Sequence, residues 1–287
     1  MKLKKSIVLP CLIFSVLALI VSISWRSINR TEFPTTNTSP IEKKKALSAL
    51  SFVSYKFETI FDQQHANVPV LDSSVFKQAY IGYLNLREQG KTTSSILTIA
   101  DLSLHSREPR LWIIDVEKDS ILLNTYVSHG RGSGLAEAKS FSNRSNSNQS
   151  SLGFYLTGET YQGKHGRSLR LDGLDRGFNS NARSRAIVMH GAWYVGPNIL
   201  KGQDRMGVSQ GCPAVSEVLK DKIIDLIKDR SVLYIYGKSS AYQSALLNEQ
   251  PITRSLMAMA SSINEDETGQ TMLGDSSALL ADEGNLL

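Results

Sequence analysis

The sequence predicts a mainly β fold entered through two helices, with one further helix late in the chain. Two observations carry that expectation. Runs rich in Ile, Val, Leu and Tyr recur at Ser95–Ser103, Arg110–Gly130, Arg185–Val195 and Ser231–Gly237, and such residues suit a pleated, half-buried surface. Three- and four-residue apolar spacing, the mark of a helix, is confined to stretches outside those runs.

The elements follow in order. Lys2, Lys4 and Lys5 precede an apolar run from Ile7 to Ile23, and Arg26 and Arg30 come after it. Residues 1–30 therefore read as a membrane anchor or a cleaved signal, with Ser22 and Ser24 small enough to suit cleavage after Ser24. The basic flank places the N-terminus in the cytoplasm and everything after residue 30 outside it. Residues 31–40, "TEFPTTNTSP", form a polar linker.

Residues 41–94 read as an accessory helical segment. One helix spans Ile41–Gln64, on Leu47, Leu50, Val53, Phe57 and Ile60; a second spans Ser73–Glu88, on Val75, Ala79, Tyr83 and Leu86. The β domain occupies 95–240, with a hairpin turn at "DVEKDS" in its second run. Arg131–Asn181 is dense in Gly, Ser and Asn and reads as a long loop, of the kind that carries function. A helix over Ser216–Lys228 closes the domain, with Val218, Leu219, Ile223, Leu226 and Ile227 as its stripe. Residues 241–287 carry one Arg against seven acids and read as an acidic, disordered tail.

The charge is modest. Arg107–Lys238 holds 19 Lys/Arg against 13 Asp/Glu. That excess suits an anionic polymer but falls short of the clustered basic patches that bind nucleic acid. The two cysteines are Cys11, an apolar residue of the N-terminal run, and Cys212. An exported cysteine without a partner is a buried hydrophobe, an intermolecular bridge or a nucleophile. Its neighbours favour the last. Cys212 stands at the expected entrance to the late helix, with Pro213 at home in a first turn, and the positive end of the helix dipole would favour thiolate. Gly211 lets the backbone approach a ligand, and the amides of the turn could face an oxyanion. His190 ends the apolar strand "AIVM". One cysteine and scattered histidines give no metal-ligand spacing, and no cofactor is implied.

His190-Gly191 followed by Ser209-Gln210-Gly211-Cys212 resembles the signature of the L,D-transpeptidase catalytic domain family, a His-Gly pair and then Ser/Thr-x-Gly-Cys. Pro213-Ala214 and the upstream segments at Phe141, Ser150 and Gly163 are similar to the branch whose cysteine precedes Pro-Ala. The resemblance spans Ser95–Gly237. It implies a β-sandwich or mixed sheet with one helix after the cysteine, and chemistry on peptidoglycan stem peptides at the outer side of the cytoplasmic membrane. It implies Cys212 as nucleophile through a thioester, His190 as base and then acid, Ser209 orienting the imidazole, and amides at Gly211 and Cys212 holding the oxyanion. Ser151, Gly153, Gly191, Gln210 and Arg205 are the implied substrate-side residues. Where many members carry a second histidine this chain has Gln210, and Pro213-Ala214 replaces the Arg or Asn after the cysteine; Arg205, His165 or His129 could substitute. A hydrolase on the same scaffold, or a wall-binding module in which Cys212 is structural, stands as the alternative.

Overall fold

The apolar runs form strands with almost no polar alternation because both faces of their sheet are covered. The computed structural model describes residues 51–61, 69, 71–249 and 252. The expected anchor or signal at 1–30, the linker at 31–40, the start of the first helix and most of the acidic tail lie outside the described residues. Among those described, no helix is long and apolar enough to cross a membrane.

Helix α1 covers residues 51–61 and helix α2 Ser73–Glu88, the latter with the bounds its spacing predicts. Asp72 caps α2 by accepting from the Ser74 amide at 2.8 Å and the Val75 amide at 3.3 Å, two donors that the first turn leaves without an intrahelical partner. Eight strands follow: β1 Ile96–Asp101, β2 Leu111–Asp115, β3 Ser120–Thr125, β4 Gly153–Gly163, β5 Gly166–Gly173, β6 Val188–Ala192, β7 Ala214–Ser216 and β8 Val232–Tyr236. Helix α3, Lys220–Ile227, lies between β7 and β8. The strands make one mixed sheet in the order β3-β2-β1-β8-β4-β5-β6-β7. Two pairs are parallel, β1 with β8 and β6 with β7; the rest are antiparallel. The hairpin expected at "DVEKDS" joins β2 to β3.

Successive residues face opposite layers. Leu97, Ile99, Trp112, Ile114, Phe154, Leu156, Val232 and Tyr234 pack with α1 and α2 in one core. Leu111, Ile113, Tyr155, Leu169, Leu171, Val215, Leu233 and Ile235 pack with Ile223, Ile224 and Ile227 of α3 in the other. Trp112 also ties the chain before α2 to the sheet, its indole N–H donating to the Pro69 carbonyl at 3.0 Å.

Three expectations change. The segment Arg131–Asn181 is not one loop: β4 and β5 form a hairpin within it, turning at Lys164–His165. The late helix begins at Lys220, not near Pro213, because Ala214–Ser216 pairs as a strand with β6; Val218, placed on its apolar stripe, is 89% exposed. The start of the acidic tail is ordered against the domain. Tyr242 donates to Asp175 at 2.8 Å, and Asn85 of α2 donates to the carbonyls of Leu246 and Asn248 at 2.7 and 2.8 Å.

At Gly82, α2 lies directly against the sheet. A Cβ there would lie 2.0 Å from Cζ of Phe154, and Phe154 is fully buried and stacked on Tyr234 at 4.3 Å. Gly82→Ala gains about 1 kcal/mol in helix propensity, but overpacking a ring that cannot move aside costs about 1–3 kcal/mol. The variant is expected to be less stable than the parent in urea unfolding.

Candidate functional site

The site is built where β7 meets β6. The parallel register pairs His190 with Ala214 and Ala192 with Ser216, so one repeat earlier Cys212 falls beside Val188, on the same face as His190. Its thiol donates to the Ala186 carbonyl at 3.7 Å, and the Val188 amide faces the sulfur. The turn that delivers it is closed by Ser209, whose hydroxyl donates to the Cys212 carbonyl at 2.6 Å and accepts from the Gly211 amide at 3.0 Å. Gly211 has φ +123°, and a Cβ there would lie 2.9 Å from the Gln149 carbonyl oxygen. Both facts require glycine.

His190 sits in the middle of β6, not at the end of a strand, and is 3% exposed. Its Nδ1–H donates to the Gly191 carbonyl at 2.8 Å. That bond fixes the tautomer and leaves Nε2 as an acceptor. Burial lowers the His190 pKa, the Gly191 bond opposing and nearby His165 and Lys164 assisting. Burial likewise pushes the Cys212 thiol up, against the Val188 amide, Arg185 and Lys164. Both shifts favour the neutral forms, thiol and imidazole, at neutral pH.

Both groups line one cleft of about 520 Å³. The β4–β5 hairpin contributes Lys164 and His165, the latter stacked on the His190 ring at 4.2 Å. The loop before β4 contributes Ser145, Asn146 and Asn148; the loop before β6 contributes Arg185 and Ala186. Among the described lining residues none is acidic.

The residues singled out from the sequence separate in the structure. Cys212, His190, Ser209 and Gln210 line the cleft. Ser209 braces the cysteine turn and does not hold the imidazole, whose Nδ1 is taken by the Gly191 carbonyl. The Gly211 amide, expected at the oxyanion, is engaged by Ser209. Cys212 leads into a strand, so no helix dipole acts on it. Gly191 faces away from the cleft, where a Cβ would lie 2.9 Å from Cδ of Lys220. Ser151 and Gly153 are not among the residues that line the cleft. The Ser151 hydroxyl, buried, donates to the Ser142 carbonyl at 2.9 Å and accepts from Arg185, and Gly153 abuts Asp175. Arg205 donates to the Met206 carbonyl at 3.1 Å outside the cleft lining.

His129 is structural. Fully buried, it accepts at Nδ1 from Arg110 at 2.7 Å and donates from Nε2 to the Gly134 carbonyl at 3.2 Å, while its own carbonyl accepts from the Ser209 amide at 2.9 Å. Sequence reading missed Arg185, which sits in a polar loop; its isolation from any acid is a feature of the fold alone. Among the described residues no cluster of His, Cys, Asp and Glu could hold a metal ion.

Three comparisons bear on this geometry. The model of the L,D-transpeptidase catalytic domain family matches residues 67–236. No curated protein matches the sequence. Similar solved structures include an L,D-transpeptidase from Mycobacterium smegmatis, with 13% identity over 50% of this chain and 59% of that one, at a TM-score of 0.31. The helical cell shape determining protein Pgp2 from Campylobacter jejuni is similar at 10% identity over 60% of each chain, with a TM-score of 0.33. The chain thus spans about three fifths of the length of these structures.

The buried His129 predicts an acid sensitivity. Burial first, then Arg110 and Arg205, lower its pKa from 6.5 to about 4, against the Gly134 bond. Between those values the unfolded chain binds a proton that the folded one does not, so stability falls as pH drops through this window, by about 3 kcal/mol from His129. His190 contributes in the same direction. Urea unfolding from pH 7 to 4 is expected to show the loss, and His129→Gln, which can still accept from Arg110, to flatten it.

Proposed function

The chain belongs to the L,D-transpeptidase catalytic domain family, and from that premise we propose that it transfers acyl groups on peptidoglycan stem peptides through a thioester on Cys212. The observation that carries the reading is the placement of thiol and imidazole on one face of paired strands, opening into one cleft. As Cys212 attacks the carbonyl at the L-centre of the donor, its proton passes to Nε2 of His190. The amide of Cys212 donates to the developing oxyanion. Collapse breaks the C–N bond, the His190 proton goes to the departing D-alanine nitrogen, and the thioester remains. An acceptor amine then loses its proton to Nε2, attacks, and expels the sulfur, which recovers the proton. Water in place of the amine would make the enzyme a hydrolase.

The buried, lowered pKa of His190 supports this reading, because the imidazole stays an unprotonated base at neutral pH. The carbonyl of Gly191 plays the part expected of Ser209, orienting the ring. We assign the action to the outer side of the cytoplasmic membrane, with the chain held there by residues 1–30 or released after cleavage.

Incubation with purified sacculi, followed by mass analysis of the muropeptides, tests the reading. New crosslinks are expected from the parent, none from Cys212→Ala, and nearly none from Cys212→Ser, since a hydroxyl lacks the acidity. His190→Gln is expected to slow acylation at least about a hundredfold. Unchanged turnover in Cys212→Ala removes the mechanism; freed amino acid without crosslinks moves the assignment to the hydrolase.

A further inference from the structure

Among the described residues Arg185 is a cation without an anion. Its Nη1 donates to the Ser142 carbonyl at 2.7 Å and to the Ser151 hydroxyl; its Nη2 donates to the Gln149 carbonyl at 2.7 Å and the Ser147 hydroxyl at 3.3 Å. Every one of these partners is neutral, and among the described residues no carboxylate lines the cleft. Four bonds to four residues before β4 hold the guanidinium in one place. That place is against the cysteine turn: a Cβ on Gly211 would lie 3.4 Å from Nη2, and the residue after Arg185 supplies the carbonyl to which the thiol donates. A partly buried charge fixed by neutral dipoles keeps its field for whatever anion forms beside it.

Resting on the assignment of Cys212 as nucleophile, we propose that Arg185 is the positive charge that holds the Cys212 thiolate, in place of the helix end that the sequence suggests. Other titratable groups share the cleft with this sulfur: Lys164 and His165 of the exposed β4–β5 hairpin, His190 of β6, and Tyr194 of the segment after β6. Tyr194 is neutral when the thiol ionises. The lowered pKa of His190 leaves it neutral at that pH, and the Lys164–His165 turn is exposed and screened by solvent. Arg185 alone is charged, immobilised and partly shielded. The direction of its influence on the thiol agrees, opposing the effect of burial. Arg185 therefore acts through the sulfur, as a positioning charge, and needs no contact with substrate.

Alkylation by iodoacetamide reads the thiolate directly, sulfur displacing iodide, and does not depend on turnover. In the parent the rate of Cys212 alkylation, followed by peptide mass, rises with pH to a plateau. Arg185→Gln is expected to raise the midpoint by at least about one pH unit, so that the rate at pH 8 falls about tenfold, with the plateau unchanged. Arg185→Lys is expected to restore most of the midpoint, and Lys164→Gln to leave it nearly in place. A midpoint unmoved in Arg185→Gln, a change confined to the plateau, or an equal shift in Arg185→Lys overturns the proposal. Should Arg185→Gln fail to fold, Arg185→Met, which keeps the aliphatic stem and removes the charge, takes its place: the midpoint must rise, and an unmoved midpoint overturns the proposal. If Cys212→Ala keeps its turnover, the nucleophile assignment fails, while the alkylation profile still reports on Arg185.

Discussion

The parallel pairing of β6 with β7 is the constraint on which the site depends. Three residue pairs, from His190–Ala214 to Ala192–Ser216, set the height of Cys212 relative to His190, and a shift of one residue would turn the sulfur to the other face. Much of the surrounding structure protects that register. Ser209 closes the turn, Gly211 admits it beneath the Gln149 carbonyl, and the buried Arg110–His129 pair holds the backbone to which Ser209 is bonded. On the far side Gly191 lets α3 pack against β6. The long loop before β4 then serves two ends, forming a wall of the cleft and satisfying the donors of Arg185.

The electrostatic design is one of cations met by neutral acceptors. Arg110 is fully buried and donates to the carbonyls of Val127 and Leu104 and to neutral His129; burial lowers its pKa to about 10, which leaves it charged at neutral pH. Arg185 repeats the pattern at the cleft. Burying such charges costs desolvation free energy, which for Arg110 the nearby Asp101 partly offsets, and the two residues differ in what the arrangement yields. Arg110 fixes a histidine that supports the backbone, whereas Arg185 faces a thiol able to become an anion. Burial alone would leave that thiol a poor nucleophile. The same burial keeps His190 unprotonated but makes it a weaker base, so both shifts oppose proton transfer from thiol to imidazole and the charge of Arg185 acts against that cost.

Much of this was legible in the residues. The apolar runs at β1, β2, β3, β6 and β8 and the bounds of α2 follow from patterning and spacing, whereas the candidate pair Cys212 and His190 rests on the resemblance to the family signature. The β4–β5 hairpin was hidden because its Gly, Ser and charged residues dilute the apolar alternation, although "GKHG" is a fair turn. Ser216–Lys228 shows a helical stripe, yet tertiary pairing claims Ala214–Ser216 for the sheet, and with it goes the helix-dipole account of the cysteine. Ser209, Ser151 and Gly191 were marked as important for the wrong contacts, since hydrogen-bond partners far along the chain cannot be read from local sequence. Arg185 had no signal at all. Its meaning lies in the lack of an acid nearby in space.

The central claim is that sulfur of Cys212 carries the acyl group. Rapid quenching of the protein with a tetrapeptide stem donor, followed by intact mass and peptide mapping, tests it most directly. The account predicts a mass gain equal to the donor less D-alanine, located on the peptide containing Cys212, absent in Cys212→Ala and discharged when an acceptor amine is added. Donor consumption with no adduct on Cys212 at any quench time, or an adduct that persists in Cys212→Ala, would contradict it.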